Sequence, residues 1–187
     1  MTAIVGPERT RVLARDPWQT GAVREWQVAG ALIRHGDGLI LVANRRRDQT
    51  VDWTPPGGVI DPGETMAEGL VREVREETGL IVQELVRCAY RVQVEAPGLE
   101  WVLQVEAWEV EVSGDVVIED PDGIVEHCRA VPGHEARTLM EASPMWIHVP
   151  VGAWLDGACG THPQPPAEFR FRLHGVDRRS TRVERMP

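Results

Sequence analysis

Residues 65–79 carry the clearest helix signal in the chain, and they define one layer of any fold that the chain adopts. The pattern begins after Thr65 and stops at Gly79, a residue type that favours helix ends. At about 100° per residue, five apolar side chains fall on one stripe. The stripe consists of Met66, Ala67, Leu70, Val71 and Val74. The sequence therefore predicts an amphipathic helix with this stripe against a core.

The remaining segments predict several strands and two later helices. Alternating or β-rich runs predict strands at 28–34, 39–43, 80–95, 101–112, 124–131 and 169–173. Helices are expected at 134–142 and about 146–155, a hairpin turn at 35–38, and a turn-rich stretch at 52–58. We expect 169–173 to be an edge strand and the last ten residues to be frayed. Because strands and helices mix without regular alternation, the predicted class is α+β, with a mixed sheet covered by helices.

Composition and charge exclude several kinds of protein. With 42% hydrophobic and 26% charged residues the chain is neither disordered nor fibrous, and no apolar run reaches the roughly 20 residues that span a bilayer. Its 20 basic and 29 acidic residues give a net charge of −9, so we expect no stable nucleic-acid complex. The three cysteines have no CxxC spacing, and the first 15 residues lack an apolar leader segment. A cytoplasmic protein with reduced thiols is expected, and a homodimer remains open.

Three glutamates crowd one arc of the predicted helix. Glu73, Glu76 and Glu77 have i, i+3 and i+4 spacing, at which carboxylates repel one another. Mg²⁺ typically combines one or two carboxylates with water and substrate phosphates, so the cluster favours a metal-bridged, phosphate-bearing substrate. The alternative is a solvated acidic face paired with Arg72 and Arg75. Without metal, repulsion and the nearby apolar stripe should raise the pKa of at least one of the three.

The residues around the helix strengthen the interpretation as a metal site. Gly57 and Gly58 let the backbone come close to the cluster, where a free carbonyl could become a further oxygen ligand. Glu64 precedes the helix, and an inward-turned Arg72 could pair with it and lock the loop against the helix.

Residues 58–80 resemble the Nudix box, G-x5-E-x7-R-E-U-x-E-E-x-G-U with U aliphatic, at every defined position. The matching residues are Gly58, Glu64, Arg72, Glu73, Val74, Glu76, Glu77, Gly79 and Leu80. The resemblance extends over about 24–155. It implies an α/β/α sandwich with a central mixed β-sheet and the box on a loop-helix-loop. The expected domain is 23–158, between an N-terminal extension at 1–22 and a C-terminal extension at 159–187 that holds the edge strand.

The resemblance also implies an activity, the hydrolysis of a diphosphate linkage in a nucleoside di- or triphosphate derivative. Substrates of this class include nucleotide sugars, ADP-ribose-like compounds and nucleoside triphosphates. By the same resemblance, Glu73, Glu76 and Glu77 would bind Mg²⁺ or Mn²⁺ with the Gly57 carbonyl, and Arg72 and Glu64 would form a structural pair. The alternative function is a Nudix-fold module that senses a nucleotide without hydrolysing it.

The sequence does not single out one residue as the general base. In the family it is a glutamate of the box or an acid on a later loop. The later candidates in this chain are Glu119, Asp120, Asp122 and Glu126. We prefer Glu126 because it enters a strand, which holds a side chain more rigidly than a loop does.

Two further positions are candidates for substrate binding. Arg45, Arg46 and Arg47 follow the second strand, and relatives use an arginine at about Arg45 to reach phosphate, for which guanidinium geometry is suited. Trp53 could stack on a nucleobase or wedge the loop against the core, and the sequence favours neither.

Overall fold

The computed structural model describes residues 23–46, 49–121, 123–162, 164–176 and 180–187. The predicted N-terminal extension, residues 1–22, lies outside the described residues. Within them are three α-helices, α1 (Met66–Thr78), α2 (Gly133–Met140) and α3 (Met145–Leu155). The strands of the same ranges are β1 (Arg24–Leu32), β2 (Arg34–His35), β3 (Gly38–Arg45), β4 (Val51–Thr54), β5 (Gly57–Val59), β6 (Ile81–Ala96), β7 (Trp101–Ser113), β8 (Val125–Val131), β9 (Ala167–His174) and β10 (Arg182–Met186).

The strands form two sheets. The larger has the order β10-β9-β6-β7-β1-β5, and it is mixed because β1 pairs with β7 and β6 with β9 in parallel while its other pairs are antiparallel. In the smaller sheet β3 lies between β8 on one side and β2 and β4 on the other, all antiparallel. The predicted α+β class with a mixed sheet is confirmed.

Helices cover the sheets from two sides. On one side, Leu70 and Val74 of α1 are fully buried against Ala29, Ala31 and residues of β3 and β7. On the other, Met140 of α2 and Trp154 of α3 belong to a second core with residues of β3, β6 and β9. This arrangement is the expected α/β/α sandwich. No helix among the described residues has the length and apolar character needed to cross a membrane.

Local signals at both ends stabilise α1. The Thr65 hydroxyl accepts from the Glu68 N–H at 3.2 Å and the Thr65 N–H donates to the Glu68 carboxylate at 2.8 Å, which is a capping box. Gly79 ends the helix at φ 75°, as predicted. The predicted stripe is only partly right, because Ala67 and Val71 are exposed. Buried residues of the helix include Leu70, Val74 and Glu77, so the buried arc is turned towards the acidic cluster.

The predicted strand at 28–34 is wrong in one respect. It divides at Ile33: β1 ends at Leu32 in the larger sheet and β2 begins at Arg34 in the smaller one. The hairpin turn is confirmed, since Arg34 pairs with Leu39. Two short strands reach into the turn-rich stretch at 52–58, because β4 ends within it and β5 begins within it.

The C-terminal segment differs from the prediction. β9 contains the expected edge strand, but it has neighbours on both sides, β6 and β10, and is an interior strand. The last ten residues, expected to be frayed, include β10 from Arg182 to Met186. This strand is polar because it lies at the sheet edge, and its backbone pairing with β9, not an apolar pattern, holds it in place.

A buried ion pair joins this segment to the rest of the protein. The Arg87 guanidinium contacts both carboxylate oxygens of Glu109, at 2.7 and 3.1 Å, and donates to the backbone carbonyls of Cys159 and Gly160 at 3.3 and 2.8 Å. Trp154 Nε1 donates to Glu109 at 2.6 Å. The pair therefore connects β6, β7 and α3 with the chain that leads to β9.

Candidate active site

Arg72 binds the acidic residues of the loop and helix together. Its Nε and Nη2 donate to the two carboxylate oxygens of Glu64 at 2.8 and 2.9 Å, and its Nη1 lies 2.7 Å from Glu73 Oε1 and 3.3 Å from Glu76 Oε2. Hydrogen bonds from Arg72, followed by that from the Asp61 N–H, lower the pKa of Glu64 to about 2. The expected pairing of Arg72 and Glu64 is present, and it holds the loop against the helix.

Glu77 is the buried member of the cluster. It is 6% exposed, and one of its carboxylate oxygens accepts from the Gly57 N–H at 2.7 Å. Burial raises its pKa to about 8, the Gly57 hydrogen bond opposes this, and the charges of Glu73, Asp120 and Glu76 add to the rise. The raised pKa predicted for one of the three acids is thus found at Glu77. No basic side chain of the described residues pairs with it.

Two glycines bring β5 close to α1 and β1. At Gly57, φ is 145° and a Cβ would lie 2.1 Å from the Ala29 carbonyl oxygen, so only glycine fits there. At Gly58 a Cβ would lie 2.6 Å from the Glu73 carboxylate. The glycine pair therefore lets the Glu73 and Glu77 carboxylates approach the backbone of β5.

The loop after β7 brings a further acid to the cluster. Val117 and Glu119 donate their N–H groups to the carbonyls of Thr78 and Glu76, at 2.8 and 3.0 Å, so the loop lies along the end of α1. Asp120 follows and contributes to the raised pKa of Glu77. Its carboxylate also accepts from the N–H groups of Ile124 and Val125 at 2.7 and 2.8 Å, which fixes its position.

The glycine pair, Arg72 and the three glutamates of the cluster line a cleft of about 680 Å³. Its acidic part consists of Asp61, Glu73, Glu76 and Glu77 beside Arg72. Both sheets and α3 contribute the rest, including Val28, Val92, Leu103, Val105, Asn44, Arg46, Thr54, Trp146 and Ile147. A polyanion entering this cleft would meet an excess of negative charge, which a bound cation would offset.

The donor set fits a hard divalent cation. As the side chains are placed, no three acids, histidines or cysteines of the described residues converge as ligands. Instead Arg72 Nη1 lies between the carboxylates of Glu73 and Glu76, where a positive charge is stabilised. Carboxylate oxygens are the ligands that Mg²⁺ and Mn²⁺ prefer, and the buried Glu77 carboxylate has no positive partner in this part of the chain. A cation held here would favour the ionised form of Glu77.

Other sequence candidates lie elsewhere. The guanidinium of Arg45 is ion-paired with Glu126, and neither residue is among those that line the cleft. Arg46, the next arginine, does line it, with two hydrogen bonds to Asp52 at 2.7 and 2.9 Å. Of these three residues, Arg46 is the one that lines the cleft with the acidic cluster. Arg47 and Asp122, which the sequence also suggested, lie outside the described residues.

Trp53 is placed in contact with the core. Its ring packs against the core cluster that contains Met140 and Trp154, and the Arg129 guanidinium lies 4.9 Å from the ring centroid. It is not among the described residues that line the cleft. This position matches the wedge alternative.

Among the cleft residues that sequence reasoning did not single out are Asn44 and Trp146. Asn44 follows Val42 with the two-residue period of β3, so a strand prediction extended by one residue would have placed it on the same face. Trp146 is half-buried at the start of α3, and it packs against the core and lines the cleft.

The mixed α/β/α fold and the acid-rich helix beside a cleft agree with the resemblance of the sequence to the Nudix family. The family model of the NUDIX domain matches residues 23–150, so the chain belongs to the NUDIX family. Among solved structures, a NUDIX hydrolase from Nitrosomonas europaea has a TM-score of 0.62 at 19% identity, covering 72% of this chain and 90% of that one. The E. coli ORF135 protein has a TM-score of 0.58 at 21% identity, covering 76% and 96%.

Curated relatives match over shorter stretches. An RNA pyrophosphohydrolase of Erythrobacter litoralis is 35% identical over 79 residues, which are 40% of this chain and 48% of that protein. A CTP pyrophosphohydrolase of Escherichia coli is 43% identical over 56 residues, 29% of this chain and 41% of that protein. The chain thus spans about half or less of the length of these relatives.

Proposed function

We propose that the protein is a Mg²⁺- or Mn²⁺-dependent hydrolase of the diphosphate linkage in a nucleoside di- or triphosphate derivative, such as a nucleotide sugar, an ADP-ribose-like compound or a nucleoside triphosphate. The single observation that carries the proposal is that Glu73, Glu76 and the buried Glu77 line one cleft beside Gly57 and Gly58. The related pyrophosphohydrolases support it.

Glu73, Glu76 and Glu77, with the Gly57 carbonyl, would hold the cation. A divalent cation held there would neutralise diphosphate charge and would supply the Lewis acidity that makes water a nucleophile for the diphosphate. The protein's own residues position the ligands. The Gly57 N–H fixes one oxygen of Glu77 and leaves the other for coordination, while Arg72 and Glu64 hold the loop that carries Asp61.

The test is a panel of nucleotides with Mg²⁺ or Mn²⁺, assayed for release of nucleoside monophosphate. Glu76→Gln and Glu77→Gln should each lower turnover by two or more orders of magnitude, while Glu84→Gln, an exposed acid of β6 outside the cleft, should leave it unchanged. Wild-type rates in both cluster variants would show that the cluster is not the active site. Tight nucleotide binding without hydrolysis of any compound would instead support the sensor alternative.

Among the later acids, the positions favour Asp120 over Glu126 as the one that acts with the cluster. Asp120 acts electrostatically on Glu77, whereas the Glu126 carboxylate is bound to Arg45. Asp120→Asn, which keeps an oxygen acceptor for the Ile124 and Val125 N–H groups, should lower kcat at least tenfold. Glu126→Gln is the matched comparison, and a larger loss in Glu126→Gln than in Asp120→Asn would restore the sequence-based preference.

A further inference from the structure

One side chain in the cleft has an unused hydrogen-bonding atom. Asn44 of β3 is 6% exposed, and its Nδ2 donates to the Thr54 hydroxyl at 2.9 Å. Its Oδ1 has no hydrogen-bond partner among the described residues. A buried acceptor without a donor is unfavourable, and such atoms are rare in native proteins. Because Asn44 lines the same cleft as the acidic cluster, a donor on a bound ligand would satisfy this atom.

The apolar part of the cleft that Asn44 lines suits a flat, apolar-faced group. The cleft residues contributed by β1, β7 and α3 include Val28, Leu103, Val105, Trp146 and Ile147. Aliphatic and aromatic side chains of this kind bind the faces of a ring by burial and stacking, while a polar group at its edge is read by a hydrogen bond.

The charges of the cleft disfavour an ionised ligand group beside Asn44, in addition to the diphosphate of the proposed substrate. The basic residues among its described lining are Arg46 and Arg72. Arg46 binds Asp52 through two hydrogen bonds, and Arg72 binds Glu64, Glu73 and Glu76. A phosphate or carboxylate placed beside Asn44 would have no uncommitted cation of the described lining to pair with. The group that fits is neutral, planar and able to donate a hydrogen bond.

We propose that Asn44 determines substrate specificity, with its Oδ1 accepting a hydrogen bond from the exocyclic amino group of the substrate's nucleobase. This inference rests on the proposed function, because it concerns the organic part of the same substrate. It predicts that amino-bearing bases are preferred over their keto counterparts, cytosine over uracil and adenine over hypoxanthine. A keto oxygen in the same place would set two acceptors against each other and leave Oδ1 unpaired.

The experiment compares matched nucleotides in matched variants. For CTP against UTP and ATP against ITP, kcat/KM is measured with Mg²⁺, and the Kd values of CMP, UMP, AMP and IMP are measured by calorimetry without turnover. The wild type should prefer the amino member of at least one pair by about tenfold or more in both measurements. Asn44→Leu, of similar size but without an acceptor, should reduce the preference to about onefold.

The outcomes separate this inference from the proposed function. Hydrolysis of all four triphosphates with no amino preference, or a preference that survives Asn44→Leu, overturns the role of Asn44 and leaves the hydrolase proposal intact. A keto preference that Asn44→Leu abolishes would mean that the free atom is Nδ2, with Oδ1 bonded to Thr54, and it also overturns the inference. An amino preference in Kd without hydrolysis of any nucleotide supports Asn44 and overturns the hydrolase. If no monophosphate binds, the inference fails.

Discussion

Glu77 makes the stability of the metal-free protein depend on pH. Its pKa is about 8 in the folded protein against an ordinary value of 4.5, so folding favours its protonated form. The stability that this provides is complete below pH 4.5 and is lost as the pH rises through about 8. Glu77→Gln, which is neutral at every pH, should therefore raise the Tm of the metal-free protein at pH 9 by several degrees and leave it unchanged at pH 4.

Thermal melts in EDTA at the two pH values measure this effect. Glu111→Gln, a change at an exposed acid of β7, is the control and should show no such pH-dependent difference. Equal Tm values for wild type and Glu77→Gln at pH 9 would contradict the buried, neutral state of Glu77.

The acidic cluster also predicts how a bound metal ion changes the stability of the protein. A cation that binds only the folded protein stabilises it by mass action, by about 2.7 kcal/mol at a hundredfold excess over Kd. Millimolar Mn²⁺ at neutral pH should raise the Tm of the wild type by several degrees and that of Glu76→Gln by much less. The measurement is a thermal melt with and without metal. An equal shift in the two proteins would locate the cation away from the cluster, and no shift in the wild type would argue against a metal site.

Substitutions at two adjacent glycines of β5 should affect different properties, stability at one position and activity at the other. A Cβ at Gly57 would meet backbone, 2.1 Å from the Ala29 carbonyl oxygen, whereas at Gly58 it would meet the movable end of the Glu73 side chain. Gly57→Ala should therefore destabilise the protein by about 2–4 kcal/mol, through strain at a positive φ and a clash that side-chain motion cannot relieve. Gly58→Ala should lower activity at least tenfold with a small change in Tm, because it displaces the Glu73 carboxylate.

Urea unfolding and initial rates for both variants test the contrast. Large destabilisation by Gly58→Ala, or full activity in that variant, would show that Glu73 does not depend on the space left by the glycine.

Features fixed by residues close together in the sequence could be predicted, whereas features fixed by contacts between distant segments could not. α1, its glycine end and the pairing of Arg72 with Glu64 follow from spacing within 16 residues, and the structure contains all three. Arg45 and Trp53 depend on which face of a strand points to the cleft. Arg45 is next to Asn44 and so lies on the opposite face of β3, and its partner Glu126 is the residue that a register shift in the pairing of β3 with β8 leaves out, which no local pattern shows. The break at Ile33 and the pairing of β10 likewise arise from contacts between distant segments.

Across the molecule, the Arg87–Glu109 pair should stabilise the attachment of the C-terminal strands. Arg87 is buried, and although burial opposes ionisation of Glu109, hydrogen bonds from Arg87 and Trp154 hold its pKa below the ordinary value. Arg87→Met would remove the cationic partner of this carboxylate, which keeps its hydrogen bond from Trp154, and the donor of two backbone carbonyls, and should lower the free energy of unfolding by about 3 kcal/mol.

Urea unfolding measures the loss, and Arg91→Met is the matched control. Arg91 also pairs with a glutamate of β7, Glu106, but its side chain is 48% exposed, so the change should be below about 1 kcal/mol. Equal effects of the two substitutions would mean that the buried pair adds nothing beyond a surface contact.

The parallel pairing of β6 with β9 has a consequence for the order in which the protein is made. On one edge β6 pairs with β7, which follows it directly, but the partner of its other edge, β9, is complete only at His174, 78 residues after β6 ends at Ala96. At 5–20 residues per second, a ribosome needs roughly 4–16 s for that stretch. During this interval the backbone of a long strand carrying Tyr90, Val92 and Val94 lacks its second partner. Nascent chains of this protein are therefore open to edge-to-edge association, and chaperone dependence should centre on this strand.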